Sequence, residues 1–180
     1  MLVSPIRTER LELVAFDPAA ILHLVNGEHD QAEHVLGLSL PQEFPNRDDV
    51  EGFLTIQLHR METNPDRRDW TARLMVTRAK EVIGHCGFHG PPEAIGRAEI
   101  GYTVFAPFRG RGFAKEAARA LVGWAFDQGE TEVYASVSPD NAPSIAVVKS
   151  LGFKQVGTQD DEVDGLELVF AVQKPKQTSR

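Results

Sequence analysis

The sequence contains one loop whose residue types suit the binding of phosphate groups. It reads Arg109-Gly110-Arg111-Gly112-Phe113-Ala114, with a helix predicted to begin at its end. The first backbone N–H groups of a helix have no acceptor within the helix, and together with its dipole they attract anions. Residues 105–123 also carry four basic side chains and a single acid. This loop therefore predicts a site for a small polyanion, the alternative being an ordinary glycine turn before a solvated helix.

Two widespread phosphate motifs do not match the loop. A dinucleotide-binding turn needs Gly-x-Gly-x-x-Gly, and Lys115 stands where the third glycine belongs. The connection also contains Pro107 and follows a long stretch of mostly antiparallel pattern. The Gly-x-x-x-x-Gly-Lys-Ser/Thr loop of ATPases is absent from the sequence. The loop is therefore not predicted to bind a dinucleotide or to cleave ATP.

Four side chains could accept a proton during group transfer, either directly or through water. Glu99 stands at the start of the strand that leads into the loop and is the first candidate base. Glu167 on the last predicted strand is its rival. His85 and His89 are four residues apart on one predicted strand, so their side chains share a face. For each of the four, a purely structural role is the competing interpretation.

Cys86 is the only cysteine, and we expect it to be a buried structural residue. His85 precedes it, but neighbouring residues on a strand point to opposite faces, so the imidazole cannot readily activate the thiol. The six histidines form neither His-Glu-x-x-His nor a Cys/His spacing typical of a metal site. No metal is predicted.

The composition predicts one globular domain. The 180 residues are 42% hydrophobic and 25% charged, which allows a core of ordinary size. Acidic residues outnumber basic ones by 26 to 19, which argues against a nucleic-acid surface. No stretch has the pattern of a signal peptide or a membrane span, and a lone thiol fits a reducing compartment, so we expect a cytoplasmic protein without a membrane partner. The expected domain covers 1–173, followed by a flexible basic tail at 174–180.

The periodicity of apolar residues predicts a mixed α/β (α+β) fold. Strands are predicted at 6–16, 70–77, 82–89, 97–105, 132–137, 153–159 and 165–172. Helices are predicted from Asp17-Pro18 onward and at 48–61, 113–128 and 142–151. Short connections between the early strands favour antiparallel hairpins. We therefore expect a central mixed sheet of about seven strands, antiparallel in its N-terminal half and flanked by helices.

Three stretches of the sequence resemble the GNAT superfamily of acetyl-coenzyme A dependent N-acetyltransferases. The loop matches every fixed position of that family's Gln/Arg-x-x-Gly-x-Gly/Ala signature. Residues 141–153, which end in Leu151-Gly152-Phe153, are similar to a later motif of the family. Residues 8–13 resemble the opening strand of the branch that acetylates ribosomal-protein N-termini. The resemblance covers residues 6–173.

The resemblance implies the GNAT fold and acetyl-CoA as cosubstrate. Its acetyl group would pass to a primary amine by direct attack through a tetrahedral intermediate. The loop amides would hold the pyrophosphate of coenzyme A. An open strand edge at Tyr102, Thr103 and Val104 would pair with the pantetheine arm, and Asn141 would bind the same arm.

The resemblance also bears on how the thiolate leaves. Many family members place a tyrosine at the position that Val148 occupies here. Ser144 resembles the serine proposed for this proton transfer in the ribosomal-protein branch, although it could equally serve the start of its helix beside Asn141. A coenzyme A-binding sensor without catalysis is therefore the alternative function.

The acceptor is expected to be a peptide or ribosomal-protein N-terminus, or else a small primary amine. The acidic run Asp160-Asp161-Glu162-Val163-Asp164 is predicted to be a solvated hairpin tip, with steering of a cationic amine as the functional alternative. No nucleic-acid partner is expected, and the protein is expected to be a monomer or a homodimer.

Overall fold

The computed structural model describes residues 3–161 and 165–176. The strands are β1 (Ile6–Arg7), β2 (Leu11–Ala15), β3 (Ala72–Thr77), β4 (Val82–Phe88), β5 (Ile100–Val104), β6 (Glu132–Val137), β7 (Lys154–Asp161) and β8 (Gly165–Gln173). The α-helices are α1 (Pro18–Val25), α2 (His29–Leu36), α3 (Arg47–Asp49), α4 (Thr55–Thr63), α5 (Pro92–Ile95), α6 (Phe113–Asp127) and α7 (Ala142–Ser150). Among the described residues no helix has the length and apolar character needed to cross a membrane.

The strands form two sheets that meet at a single point. β1 to β5 make an antiparallel sheet of five strands in chain order, and β6, β8 and β7 make an antiparallel sheet of three with β8 in the middle. In the described part of the chain, the one backbone bridge between the sheets is the parallel bridge between Glu99, just before β5, and Tyr134 on β6. The predicted mixed α/β fold with an antiparallel N-terminal half is confirmed. Beyond the bridge, β5 and β6 diverge and leave a gap between the sheets.

The eighth strand arises because residues 6–16 form a hairpin rather than one strand. The N–H of Thr8 donates to the Leu11 carbonyl oxygen at 2.9 Å, and the Thr8 hydroxyl accepts the Leu11 N–H at 2.8 Å. These two bonds close a turn between β1 and β2. β2 keeps the predicted alternation, with Leu11 and Leu13 buried. The turn leaves Thr8 and Arg10 free to contact α6.

Helices cover both faces of the strands. On one face α6 and α7 pack against β2, β4, β5 and β6, and α6 contributes the buried residues Ala117, Ala118, Leu121 and Ala125. Three of these four are alanines, so α6 lies close to the strands. On the other face α1, α2 and α4 pack against β3 and β4 around Phe16, Ile21, Leu54 and Leu74. The start of α1 is as predicted, since Asp17 accepts the Ala19 N–H at 2.8 Å.

The amphipathic helix predicted at 48–61 is present, but it is interrupted by a wider turn. α3 passes into a π-helical segment at Val50–Leu54 and then into α4 without leaving the helical path. Leu54 and Met61 point into the core as their spacing predicts. π-helical turns within helices are frequent at functional sites, and this one lies against the cavity described below.

Two predicted segments lie partly outside the described residues. The parts outside are residues 162–164 of the acidic run and residues 177–180 of the predicted tail. At the near end of the tail, the Lys174 N–H donates to the Thr131 carbonyl oxygen at 2.8 Å, and its ammonium group donates to the Phe126 carbonyl oxygen at 2.6 Å.

Candidate active site

The loop at residues 109–114, called the phosphate loop from here on, joins the end of β5 to α6. Gly110 and Gly112 have φ angles of 74° and 79°, in the left-handed region that favours glycine. The backbone N–H groups of residues 110–115 have no acceptor among the described residues, and Gly112 provides no side-chain cap for α6. The loop therefore presents a run of unpaired donors at a helix N-terminus, as the sequence predicts.

Side chains from the β1–β2 turn hold this loop. The Glu116 carboxylate accepts the Thr8 hydroxyl at 2.6 Å, the Arg10 N–H at 2.8 Å and the Arg10 Nε at 2.6 Å. Arg10 also donates to the Arg111 carbonyl oxygen at 3.0 Å and lies 4.4 Å from the centre of the Phe113 ring. Burial raises the pKa of Glu116, but the hydrogen bonds from Thr8 and Arg10 outweigh that effect and hold the pKa below its usual value. We call Thr8, Arg10 and Glu116 the N-terminal clasp.

The edge of β5 that faces the gap is open at its centre. His89 N–H donates to Glu99 and Phe105 N–H donates to Ile83, so the odd-numbered residues of β5 pair with β4. Antiparallel alternation turns the N–H and C=O of Tyr102 toward the gap. At the end of the strand, Arg109 donates to the Val104 carbonyl oxygen at 2.8 Å, which ties the phosphate loop to β5.

The far wall of the gap is the first turn of α7. Asn141 accepts the Ser144 N–H at 3.1 Å and caps the helix. The Tyr102 hydroxyl crosses the gap and donates to the Ser144 carbonyl oxygen at 3.2 Å. Burial raises the pKa of Tyr102 to about 12. The Ser144 hydroxyl has no hydrogen-bond partner among the described residues, whereas Val148 is fully buried in the core. The Tyr102 hydroxyl thus binds the backbone of the residue that carries the unpartnered Ser144 hydroxyl.

A cavity of 810 Å³ lies on the other face of β5, between the β4–β5 pair and the helical path from α3 to α4. Its walls include the side chains or backbone of Phe53, Gln57, Arg60, His85, His89, Gly101, Thr103 and Asp161. Asp48, Asp49 and Glu51 stand at the α3 end. Such a volume fits a small molecule or a few residues of a peptide.

His89 and Glu99 form a pair at the wall of this cavity. The Nδ1 atom of His89 lies 3.9 Å from the Glu99 carboxylate, and a Cβ atom added at Gly101 would lie 3.0 Å from the Nε2 atom of His89. The imidazole therefore rests on the centre of β5. Burial lowers the pKa of His89, the Glu99 charge raises it and the Arg60 charge lowers it, with a net lowering. The lowered pKa favours the neutral imidazole of His89, which can accept a proton.

Glu99 is buried and fully hydrogen-bonded. One carboxylate oxygen accepts from Arg97 at 2.7 Å and the other accepts the Ser136 hydroxyl. Arg97 also donates to Gln159 at 2.8 Å, and Gln159 donates to Glu167 at 2.8 Å. These contacts cross the junction of the two sheets. Glu167 lies at the β7 side of this network and does not line the cavity.

His85 has a different environment from His89, although both reach the cavity as the predicted shared face requires. Its ring stacks on Phe53 at 3.9 Å between centroids, and its Nε2 atom is buried without a partner among the described residues. Burial lowers the pKa of His85 to about 4. Cys86 packs in the core as predicted, and burial raises the pKa of its thiol to about 12.

One group of possible metal ligands occurs among the described residues, away from the cavity. The ligand atoms of His29, Asp30 and Glu33 on α2 lie within 4.8 Å of one another. Two of the three already bind the loop after α2, since His29 contacts the Phe44 carbonyl oxygen at 3.2 Å and Glu33 accepts the Leu40 N–H at 2.6 Å. The absence of a metal remains a prediction.

Sequence reasoning missed the residues that complete the site. Arg97 lies in the connection before β5, Ser136 on β6 and Gln159 on β7, and no local pattern brings them together. Arg60 also escaped notice, because it reads as the polar face of an amphipathic helix. The helical spacing of Phe53, Gln57 and Arg60, at steps of four and three, was the one available signal that these side chains share a face.

The chain matches known proteins in both sequence and fold. The family model of the acetyltransferase (GNAT) domain matches residues 10–154. The uncharacterized N-acetyltransferase p20 of Bacillus licheniformis is 39% identical over 89 residues, 49% of this chain and 50% of that protein, so the match spans half of its length. The uncharacterized N-acetyltransferase YjdG of Bacillus subtilis is 28% identical over 150 residues, 82% of this chain and 88% of that protein.

Among solved structures, RimL, a ribosomal L7/L12 alpha-N-protein acetyltransferase in complex with coenzyme A, has a TM-score of 0.64 at 19% identity. The superposition covers 94% of this chain and 98% of that chain, which shows a shared fold. The family model spans β2 to β6 and contains the phosphate loop and α7. With this match, the protein belongs to the GNAT acetyltransferase family.

Proposed function

We propose that this protein transfers the acetyl group of acetyl-CoA to a primary amine. The observation that carries the proposal is made at the phosphate loop, where the six consecutive N–H groups of residues 110–115 have no acceptor within the described part of the chain at the N-terminus of α6. Arg109 and Arg111 add positive charge there. Unpaired amides, a helix dipole and arginines are the groups that bind a pyrophosphate. Phe113 and Ala114, at the start of α6, contribute their N–H groups.

Acetyl-CoA fits the remaining groups of the gap. The pantetheine arm is a chain of amides, and the open edge at Tyr102, Thr103 and Val104 offers it the N–H and C=O of Tyr102 and the N–H of Val104, whereas the backbone of Thr103 pairs with β4. Asn141 and Ser144 line the opposite side at the start of α7. The thioester, once bound, supplies the activated acyl group, and an N–H at the centre of β5 stabilises the charge on its oxygen.

We assign the proton of the attacking amine to the pair of His89 and Glu99. His89 faces the cavity and its lowered pKa favours the neutral form, so its Nε2 atom accepts the proton. Glu99 lies behind it and stabilises the imidazolium that forms. An α-amine with a pKa near 8 needs only about 1.4 kcal/mol to become neutral at pH 7. Glu99 acting alone as the base, directly or through water, is the competing assignment.

We assign protonation of the leaving thiolate to Ser144, whose hydroxyl has no other partner among the described residues. A thiol of pKa about 8.5 needs only one hydrogen-bond donor to leave readily. The Tyr102 hydroxyl lies against the same residue and is the second donor available. Ser144→Ala and Tyr102→Phe separate these two roles, since the variant that removes the true donor lowers kcat while leaving the Kd of coenzyme A unchanged.

The acceptor class follows from two observations. The cavity lies across β5 from the gap and has acidic residues at one end, which favours a cationic amine. RimL is named for acetylation of the α-amine of a ribosomal protein, so a peptide or ribosomal-protein N-terminus is one acceptor to test, beside small primary amines. We expect a monomer or a homodimer.

Two measurements test the proposed function. Acetyl-CoA at a concentration of about 100 times Kd is expected to raise the free energy of unfolding by about 2.7 kcal/mol, seen as a shift in Tm. Thiol release is then followed with a panel of small amines and N-terminal peptides. No shift in Tm would reject the site. A shift without thiol release from any acceptor would favour the alternative function, a coenzyme A-binding sensor.

A further inference from the structure

Arg60 is the only arginine or lysine among the cavity-lining residues in the described part of the chain. It lies on α4 and is half-buried, but its guanidinium donates no hydrogen bond and forms no ion pair with a described residue. Two other arginines that leave the solvent form direct hydrogen bonds, although the buried Nε atom of Arg73 has no partner among the described residues. Arg97 binds Glu99 and Gln159, and Arg73 donates to three backbone carbonyl oxygens. The five donors of Arg60 are thus available to an occupant of the cavity.

Among the described residues, no charged group forms a direct ion pair with Arg60 in place of such an occupant. Burial lowers the pKa of Arg60, and the Glu99 charge raises it, so the two groups interact at a distance. Both carboxylate oxygens of Glu99 are already engaged by Arg97 and Ser136. An arginine stays charged at neutral pH even after such a shift. A half-buried cation without a direct counter-ion costs free energy that an incoming anion recovers.

Arg60 lies in the same cavity as His89, to which we assign the proton of the reacting amine, so an anion bound to Arg60 would lie in the same cavity as that amine. The Arg60 charge lowers the pKa of His89, and the two residues line the same cavity. Glu51, at the acidic end of the cavity, precedes Arg60 by nine residues, or ~14 Å along the helical path, whereas Asp161 lines the cavity near His89, since its charge raises the pKa of that residue. When the amino group of an acceptor lies at His89, a substituent a few bonds away from that amino group can therefore contact Arg60.

We propose that Arg60 binds a carboxylate of the acceptor, so that the acceptor is a small amino acid or a similar amine with a carboxylate a few bonds away. This inference rests on the proposed function and narrows it. The planar guanidinium pairs with a carboxylate through two parallel hydrogen bonds, which fixes the direction in which the amine points. Polyamines lack this group and carry charge that Arg60 repels.

The test compares acceptors that differ only in the carboxylate. Thiol release is measured with L-serine, L-serinamide and ethanolamine, and with glycine, β-alanine and γ-aminobutyrate to vary the separation of the two groups. Each is measured with the wild-type protein, Arg60→Gln and Arg60→Lys. Arg68→Gln is the matched control, because Arg68 is exposed and lies outside the cavity. The ratio between proteins cancels the intrinsic reactivity of each amine.

Arg60→Gln is expected to lower kcat/KM for the carboxylate acceptors at least tenfold more than for serinamide and ethanolamine, mainly through KM, because any effect of the lost Arg60 charge on His89 is common to all acceptors. Arg60→Lys is expected to recover part of the loss. An equal loss for all acceptors, or wild-type protein that prefers serinamide and ethanolamine, would overturn the inference while leaving acetyl transfer intact. Absence of transfer to every amine, with no shift in Tm on adding acetyl-CoA, would reject the proposed function and this inference with it.

Discussion

Two regions meet at β5, and they are built from different parts of the chain. The phosphate loop is six consecutive residues whose useful groups are backbone amides and two glycines in left-handed conformations. The cavity is built from side chains that come from α3, α4, β4, β5 and β7. A backbone site depends on local conformation, whereas a side-chain site depends on tertiary packing. Substitutions that remove a side chain should therefore impair the cavity, whereas substitutions that change the backbone conformation should impair the phosphate loop.

The largest effect is expected in the cavity, at His89. His89→Gln removes the proton acceptor, and because a positioned base contributes about 10² to 10⁴ in rate, kcat should fall by that factor. The Kd of acetyl-CoA should not change, since the phosphate loop is untouched. The control is His59→Gln, an exposed histidine on α4. A loss of less than threefold would transfer the role to Glu99 or to water.

Acidification is expected to act on the cavity wall through His85. The pKa of His85 is about 4 in the folded protein and 6.5 for an ordinary histidine. As pH falls from 6.5 to 4, the unfolded chain takes up a proton that the folded chain refuses. The free energy of unfolding therefore falls in this window, by up to about 3 kcal/mol.

His85→Phe keeps an aromatic ring in the contact with Phe53 and removes the titrating group. Its free energy of unfolding, measured by urea denaturation at several pH values, should fall less steeply between pH 6.5 and 4 than that of the wild type. His34→Gln, an exposed histidine on α2, should keep the wild-type slope. Identical slopes for His85→Phe and wild type would contradict the assignment.

A smaller effect is expected in the phosphate loop. Gly112→Ala forces a residue with a Cβ atom into the left-handed region, which costs roughly 1 kcal/mol. If the free loop relaxes to avoid this strain, binding must restore the conformation, and the Kd of acetyl-CoA weakens about fivefold. Gly27→Ala carries similar strain at φ of 77° after α1, with open space around it. It should lower Tm and leave Kd unchanged, and equal effects on Kd would remove the distinction.

The smallest effect is expected where neither region is touched. Gly123 lies on the exposed side of α6, and a Cβ added there would meet nothing within 4 Å. Gly123→Ala should raise the free energy of unfolding by about 0.5–1 kcal/mol and leave kcat unchanged. The same substitution at Gly101, where the new Cβ would press on His89, should lower kcat instead. Equal kcat values for the two variants would argue against contact between His89 and the reaction.

The difference between the regions explains how much of the molecule the sequence could predict. The phosphate loop, β6 and α6 depend on local signals, namely glycines, periodicity and alternation, and they occur within a residue of the predicted bounds. Thr8 was hidden inside an alternating run, because a two-residue β1 adds no signal of its own. The pair of His89 and Glu99 depends on the pairing of β4 with β5. Both residues were identified as candidates, but their approach to 3.9 Å required the register.

The hydrogen-bond network around Glu99 could not be predicted from the sequence for a related reason. Arg97, Ser136 and Gln159 are separated by tens of residues and belong to both sheets. Each has an ordinary local context. The three side chains come together in one hydrogen-bond network only because the sheets meet beside the Glu99–Tyr134 bridge. Long-range hydrogen bonds of this kind leave no periodic trace in a single sequence.

The N-terminal clasp has a consequence for how the loop meets its ligand. Thr8, Arg10 and Glu116 already fix the backbone around Arg111 and Phe113, so binding has little conformational entropy left to remove. The backbone of the loop is ordered although its N–H groups have no acceptor among the described residues, and these two properties usually exclude each other. In hydrogen–deuterium exchange, the amides of residues 110–115 should exchange quickly without ligand although their backbone is ordered, and a bound pyrophosphate should slow them without moving the chain.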